Sequence, residues 1–298
     1  MVEGRTFPSE FEIVAVARGR IYLESIRFEH TIFALPFAYM GMLLAADGWP
    51  GWEKFLLITA AMVGARTAAM AVNRVVDAEF DARNPRTADR ALPAGLMRRG
   101  EMTVLAIGGF AVLILAAWRL NLTAVALAPV ALLILVIYPY TKRFTWSTHW
   151  ILGLADSIAA AGAWIGVRGD FGLEPALLAL AMVFWIAGFD LIYASQDVEI
   201  DRRDGLHSVP ARFGIPAALW TSRGCHAASV VLLVALGFVA GLGWVYWIGA
   251  LAAGALLAYE STMVSPVDLG RLQKAFFNMN GYVSVALLVT VSLSYVVG

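Results

Sequence analysis

Residues 54–81 read KFLLITAAMVGARTAAMAVNRVVDAEFD, an apolar run over 54–73 that passes without a break into Asn73, Asp77 and Asp81. A run of roughly 20 mainly apolar residues is the length a membrane-spanning helix needs. On a helix each step of four residues turns about 400°, so the amide and both carboxylates line one face with only slow drift. Arg66, seven residues earlier, falls on the same stripe. The stretch therefore describes a spanning helix whose end carries three oxygen ligands side by side. Such a hard-oxygen set suits Mg²⁺, which typically keeps some waters and binds phosphate oxygens together with one or two carboxylates.

The rest of the chain supports the same medium. Its 298 residues are 60% hydrophobic and 15% charged, whereas a globular domain runs about 45–50% apolar and about 25% charged. The excess calls for lipid as well as a core. Similar runs lie near 27–46, 101–118, 122–140, 147–167, 175–195, 214–240, 244–263 and 275–297, which makes about nine spans with the first. The balance of 22 basic and 22 acidic residues offers no strongly basic surface, so no nucleic-acid partner is expected. No obligate protein partner is evident either. The single cysteine, Cys225, cannot form an internal disulfide and reads as a small helix-packing residue. The first twenty residues lack the pattern of a cleaved signal peptide.

Lys and Arg near span ends set orientation. Seventeen lie on the side of the N-terminus and only Lys54, Arg119 and Arg168 on the other. The N-terminus is thus expected in the cytoplasm and, with an odd number of spans, the C-terminus outside. The two long connections on the cytoplasmic side, 74–100 and 196–213, are the most polar segments. Arg86, Arg98 and Arg99 in the first of them read as topology signals. Trp49, Trp52, Trp244 and Trp247 flank the short outer loops as an interfacial belt.

The second polar connection is preceded by Asp190-Leu-Ile-Tyr193-Ala-Ser-Gln-Asp197-Val-Glu-Ile-Asp201, whose spacings of three, four and four again predict one helical face. Asp77 and Asp197 are 120 residues apart, as are Asp81 and Asp201, which hints at an internal duplication. Tyr138-Pro-Tyr-Thr-Lys142 puts a phenol and an ammonium one turn apart at the end of the fourth span. Charged or titratable residues inside spans are expensive and are functional suspects by default. Here they are Glu29 with His30, Arg66, Asp156, Asp190 and Glu260. Glu29 and His30 read equally as an interfacial pairing and as site residues; Glu260 reads as structural.

With these residues set out, the chain resembles the UbiA superfamily of intramembrane aromatic prenyltransferases over nearly its whole length. The family's first motif, NxxxDxxxD, stands as Asn73, Asp77 and Asp81, followed by Arg90-Ala-Leu-Pro-Ala-Gly95. Its second, DxxxD preceded by DxxY, stands as Asp190, Tyr193, Asp197 and Asp201, and a YxxxK element as Tyr138 and Lys142. Arg27-Phe-Glu-His-Thr-Ile-Phe-Ala-Leu-Pro36 and Asn73-Arg74 are similar to the branch that includes menaquinone-pathway enzymes of the futalosine route. Many 4-hydroxybenzoate enzymes have Asn-Asp where this chain has Asn73-Arg74, so the acceptor stays open between 4-hydroxybenzoate and a dihydroxynaphthoate.

The resemblance implies an all-α, polytopic fold, one domain over 1–298, with about nine helices ringing a central cavity that opens sideways to lipid. It implies a quinone-biosynthesis enzyme of the cytoplasmic membrane that joins a prenyl diphosphate to an aromatic acid. A prenyl diphosphate bears about three negative charges, so four aspartates would repel it unless divalent cations bridged them. The implied metal set is Asn73, Asp77, Asp81, Asp197 and Asp201 around Mg²⁺, with two ions expected. Arg66, Arg74, Arg90, Tyr138, Lys142, Arg143, Asp156 and Asn73 would hold substrate, and Asp190, Tyr193 and Lys142 would serve catalysis. A secondary transporter using Asp156, Asp190 and Arg66 as ion sites is the rival from another class. The CDP-alcohol phosphotransferases are a further rival, but their DxxDGxxAR core does not occur here.

Overall fold

The computed structural model describes residues 10–26, 31–270, 272 and 275–297. Arg27, Glu29, His30, Arg271 and Lys274 lie outside them. Helix α1 (Glu10–Ser25) precedes α2 (Thr31–Ala46), α3 (Trp52–Arg83), α4 (Arg99–Leu120), α5 (Leu122–Thr141), α6 (Thr148–Arg168) and α7 (Leu173–Ala194). A 3₁₀ turn (Ser195–Asp197) then leads to the short helices α8 (Val198–Arg203) and α9 (Val209–Phe213), followed by α10 (Ile215–Val239) and α11 (Trp244–Met263). A π-helical segment (Ala275–Met279) opens the last helix, α12 (Asn280–Val297).

Seven of the described segments are long and apolar enough to cross a membrane: α3, α4, α5, α6, Leu173–Arg203, α10 and Phe277–Val297. The two other runs expected to span are also helical, α2 with 16 residues and α11 with 20. Large apolar side chains point outward along these helices, among them Leu122, Leu251, Phe238 and Val231. A contiguous exposed surface of that kind belongs against lipid rather than water.

Helix lengths place the polar motifs. With 32 residues, α3 is about 48 Å long at 1.5 Å per residue, against a hydrocarbon core of about 30 Å. Starting at the Trp52 end, it leaves the apolar slab near Asn73, and its last turns project beyond with Asp77 and Asp81. The expected loop 74–100 is therefore helical as far as Arg83, and only the stretch from Asn84 to Arg98 is irregular.

Small residues let the helices approach closely, as they must where lipid offers no hydrophobic drive for association. A Cβ on Gly64 of α3 would lie 2.6 Å from the Gly109 carbonyl oxygen of α4. A Cβ on Gly153 of α6 would collide with the Val183 carbonyl of α7. Sequential neighbours pack around the molecule, and α12 closes the circuit against α2. Yet α2 also crosses to pack on α6 and α7, burying Phe37, Met40 and Met42 and stacking Phe37 on Trp185 at 4.9 Å. Among the described residues the helices thus enclose their cavities beside α2 rather than around an empty axis. Two cavities lie to one side of this packed wall, bounded mainly by α3, α5, α6 and α7.

Candidate active site

The first cavity, about 200 Å³, sits at the motif-bearing end. Both acid motifs line it, with Asn73, Asp77 and Asp81 on one side and Asp190, Tyr193, Asp197 and Asp201 on the other. Tyr138, Lys142, Arg143 and Arg90 join them, together with Arg86, Asn84 and His149. The polypeptide brings these residues together from five segments: α3, the following loop, the end of α5, the start of α6, and the α7–α8 passage.

Each motif is held differently. Asn73 donates from Nδ2 to Asp77 Oδ2 at 2.9 Å, and Arg90 Nη1 reaches both oxygens of Asp81 at 2.7 and 2.8 Å. Across the cavity, Arg86 donates to Asp197 from Nε at 3.1 Å and from Nη2 at 2.6 Å, and to the Tyr193 hydroxyl at 2.9 Å. Asn84 adds a hydrogen bond to Asp197 at 3.1 Å. Lys142 Nζ lies 2.7 Å from Asp201, whose other oxygen accepts from Ser208 Oγ at 2.9 Å. Charge-assisted bonds of this kind are short and strong. Burial works against the charge on Arg86, but its hydrogen bond to Asp197 and nearby negative charge leave the guanidinium pKa raised. Lys142 is likewise desolvated, yet Asp201, Asp197 and Asp190 hold its pKa above the ordinary lysine value.

The donor chemistry fits Mg²⁺. Among the described residues no group of three or more His, Cys, Asp or Glu side chains forms a ready metal cage. Mg²⁺ seldom uses one: it keeps waters and takes one or two carboxylates plus substrate phosphate oxygens. Four aspartates in two pairs, with Arg86, Arg90, Lys142 and Arg143 lining the same cavity, match that habit.

Several expectations change in the fold. The second motif does not stand on one unbroken α-helix, because α7 ends at Ala194 and Asp197 closes a 3₁₀ turn before α8, although all four of its residues face the same cavity. A 3₁₀ turn has about 3.0 residues per turn, so the helical register shifts between Tyr193 and Asp201. Arg74 does not line the cavity; it is buried, and its Nε donates to the Ser25 carbonyl at 3.1 Å, tying α1 to α3. Arg86, read from sequence as a topology signal, is central to the site. His149, Asn84 and Ser208 carried no spacing signal in the sequence. The Asn84-Pro85 turn after α3 was the one local hint that the chain folds back over the motif.

Arg66 and Asp156 lie deeper, paired at 3.6 Å, in a second cavity of about 260 Å³. Its other walls are mostly aliphatic, including Met62, Leu113, Leu127, Ile134 and Ile158. The same faces of three helices line both chambers. On α3, Met62, Arg66 and Ala69 lead to Asn73 and Asp77; on α5, Leu135 leads to Tyr138; on α6, Ala159 and Asp156 lead back to His149. A polar chamber thus stands above an apolar one, with Arg66 and Asp156 near their junction. The acids offered to the transport reading already have partners, Asp156 in Arg66 and Asp190 in His149.

A membrane-embedded helical bundle with paired DxxxD motifs over an apolar chamber defines a class of lipid-substrate enzyme, and comparison with known proteins agrees. Residues 34–282 match the UbiA prenyltransferase family. The chain belongs to that family. It is 29% identical over 287 residues to the 4-hydroxybenzoate octaprenyltransferase of Paraburkholderia phytofirmans, covering 95% of this chain and 99% of the relative. The enzyme of the same name from Aliivibrio fischeri is 31% identical over 258 residues, covering 85% and 88%. The apo structure of a UbiA homologue from Aeropyrum pernix superposes with a TM-score of 0.80 at 35% identity, covering 90% of this chain and 98% of that one. A UbiA homologue from Archaeoglobus fulgidus, solved bound to DMAPP and Mg²⁺, shares the fold with a TM-score of 0.71 at 18% identity, covering 93% and 99%.

Proposed function

We propose that this enzyme transfers a polyprenyl group from an allylic prenyl diphosphate to a phenolic aromatic acid in quinone biosynthesis, with 4-hydroxybenzoate or a dihydroxynaphthoate as acceptor. The observation that carries this reading is the stacking of a charged, acid-paired chamber on an apolar one along shared helix faces. A diphosphate ester with a long hydrocarbon tail has the same two-part character. Asp77 and Asp81 with Asn73 would hold one Mg²⁺, and Asp197 and Asp201 a second. The metal supplies Lewis-acid neutralisation of charge developing on the leaving diphosphate.

Lys142, Arg86, Arg90 and Arg143 provide positive charge for the remaining phosphate oxygens. The allylic C–O bond breaks, its electron pair leaving with the diphosphate. A ring carbon ortho to the phenolic oxygen supplies the pair for the new C–C bond, and the ring then loses its proton to restore aromaticity. The aliphatic walls keep water from the allylic cation. The acceptor sits at the junction, where Arg66 and Asp156 of the apolar chamber approach Tyr138 and Asp190 of the polar one. Arg66 Nε is buried without a hydrogen-bond partner among the described residues. The acceptor's carboxylate would satisfy it.

We further propose that all nine helices from α2 to α12, short α8 and α9 aside, cross the cytoplasmic membrane, with the motif-bearing end in the cytoplasm and the C-terminus outside. The test is a product assay in membranes with Mg²⁺, one prenyl diphosphate, and each acceptor in turn, read by mass spectrometry of the lipid extract. Prenylated acid is expected with one acceptor. Solute uptake in proteoliposomes with no prenylated product would overturn the reading.

A further inference from the structure

His149 stands at the start of α6, 1% exposed, with both ring nitrogens engaged. Its Nε2 accepts the backbone N–H of Val209 at 3.2 Å. Its Nδ1 lies 2.7 Å from Asp190 Oδ2. A nitrogen that accepts from an N–H carries no proton of its own, so the proton of the ring must sit on Nδ1. The contact to Asp190 is then a donated N–H···O bond to the carboxylate.

The partners are themselves anchored. Val209 is the first residue of α9, whose preceding Ser208 accepts from Ala211 N–H and donates to Asp201. The neighbouring His207 N–H donates to the Lys142 carbonyl at 2.7 Å. On the other side, Thr148 Oγ1 meets Thr141 Oγ1 at 2.8 Å, fixing the start of α6 to the end of α5. The close approach of α6 and α7 at Gly153 sets the lateral distance between His149 and Asp190. The ring is thus clamped between a fixed backbone donor and a carboxylate that borders the cavity.

We propose that His149 is a positioning residue: the Val209 N–H fixes its tautomer, and its Nδ1–H holds Asp190 with one carboxylate oxygen turned to the acceptor. Asp190 then takes the proton that the ring releases after C–C bond formation, and passes it to solvent through the polar chamber. This assignment rests on the proposed reaction. It adds that the loop after the second motif controls the base through a single imidazole.

The test combines a thermodynamic cycle with a spectroscopic measurement on full-length enzyme in lipid nanodiscs. His149→Ala should lower kcat about 10–100-fold, with the KM for prenyl diphosphate within twofold of the parent. His149→Asn places an amide N–H near the position of Nδ1 and should recover most of that loss. Combined with Asp190→Asn, His149→Ala should cause no further loss, because its effect runs through Asp190. Losses that multiply, or an Asn variant as impaired as Ala, would overturn the proposal. Whatever these variants do to folding, ¹⁵N-histidine NMR of the unmutated protein reports the tautomer. The chain has four histidines, and the His149 signal is assigned by its absence in His149→Asn. An Nδ1-protonated ring is expected; an Nε2-protonated or doubly protonated ring would overturn the clamp. Should no phenolic acid be prenylated, the proposed reaction fails while the NMR result still decides the geometry. An additive cycle in an active prenyltransferase removes only the role of His149.

Discussion

On α3, Asp77 and Asp81 stand on unbroken helix. After α7, Asp197 closes a 3₁₀ turn and Asp201 stands on the six-residue helix that follows. Both pairs have the same four-residue spacing, and the two helical segments end at Arg83 and Arg203, 120 residues apart, where Arg203 donates to the Arg83 carbonyl at 3.0 Å. The spacing is shared but the support is not. The first pair is aligned by one helix, and its partners Asn73 and Arg90 lie within nine residues of it in sequence. The second is held mainly by residues far away in sequence, Asn84 and Arg86 on Asp197 and Lys142 on Asp201, with Ser208 added from seven residues on. Equal motifs can therefore carry unequal dependence on the rest of the fold.

That contrast can be broken most forcefully at the acids themselves. Asp77→Ala and Asp197→Ala are each expected to reduce Mg²⁺-dependent prenylation by about 10³-fold or more. Product formation by the purified variants checks this, and near-normal turnover in either removes that motif from the metal site.

Next in size is the loss of a counter-cation. Arg86→Ala leaves Asp197 buried with only Asn84, and should destabilise the Mg²⁺-free protein by about 2–3 kcal/mol once partial exposure of the arginine is allowed for. Arg90→Ala should cost less, because Arg74 still lies 4.0 Å from Asp81. Thermal unfolding in detergent separates the two; equal losses would mean that both motifs depend on the fold alike.

A third intervention moves the support rather than the site. Gly153→Val forces α6 away from the Val183 carbonyl and should cost about 1–3 kcal/mol, lowering turnover through the His149 and Asp190 side. Gly64→Val, at the α3–α4 contact, should cost a similar amount with a smaller loss of turnover, since α3 carries its acids on a straight helix. Stability and kcat measured together decide whether the asymmetry holds. The smallest effect is expected from Asn84→Ala, which removes one hydrogen bond to Asp197 and should shift stability by about 1 kcal/mol; an unchanged melting curve would leave Arg86 as the sole support that matters.

Much of this was legible in the residues. Each apolar run became a helix, and the Asn73–Asp77–Asp81 stripe is helical through Arg83. Cys225 is a buried free thiol, and Trp49, Trp52 and Trp244 face outward. Arg86 read as a topology signal because basic residues along one connection carry the same charge and differ only in where the chain turns. Arg74 points under α1, whereas the fold after Asn84 returns Arg86 across the cavity to Asp197.

The amino-acid sequence by itself determined the medium, the helices and the two oxygen-rich motifs, because hydrophobic run length and four-residue spacing are local quantities. Only the tertiary structure decided which cation meets which carboxylate, that Arg66 and Asp156 belong to the apolar chamber, and that His149 reaches Asp190. Apart from Arg90 on Asp81, those pairings join residues 41 to 113 positions apart. They depend on how closely α6 can lie on α7 and how the loop after α3 folds back, and no spacing along the chain encodes either distance.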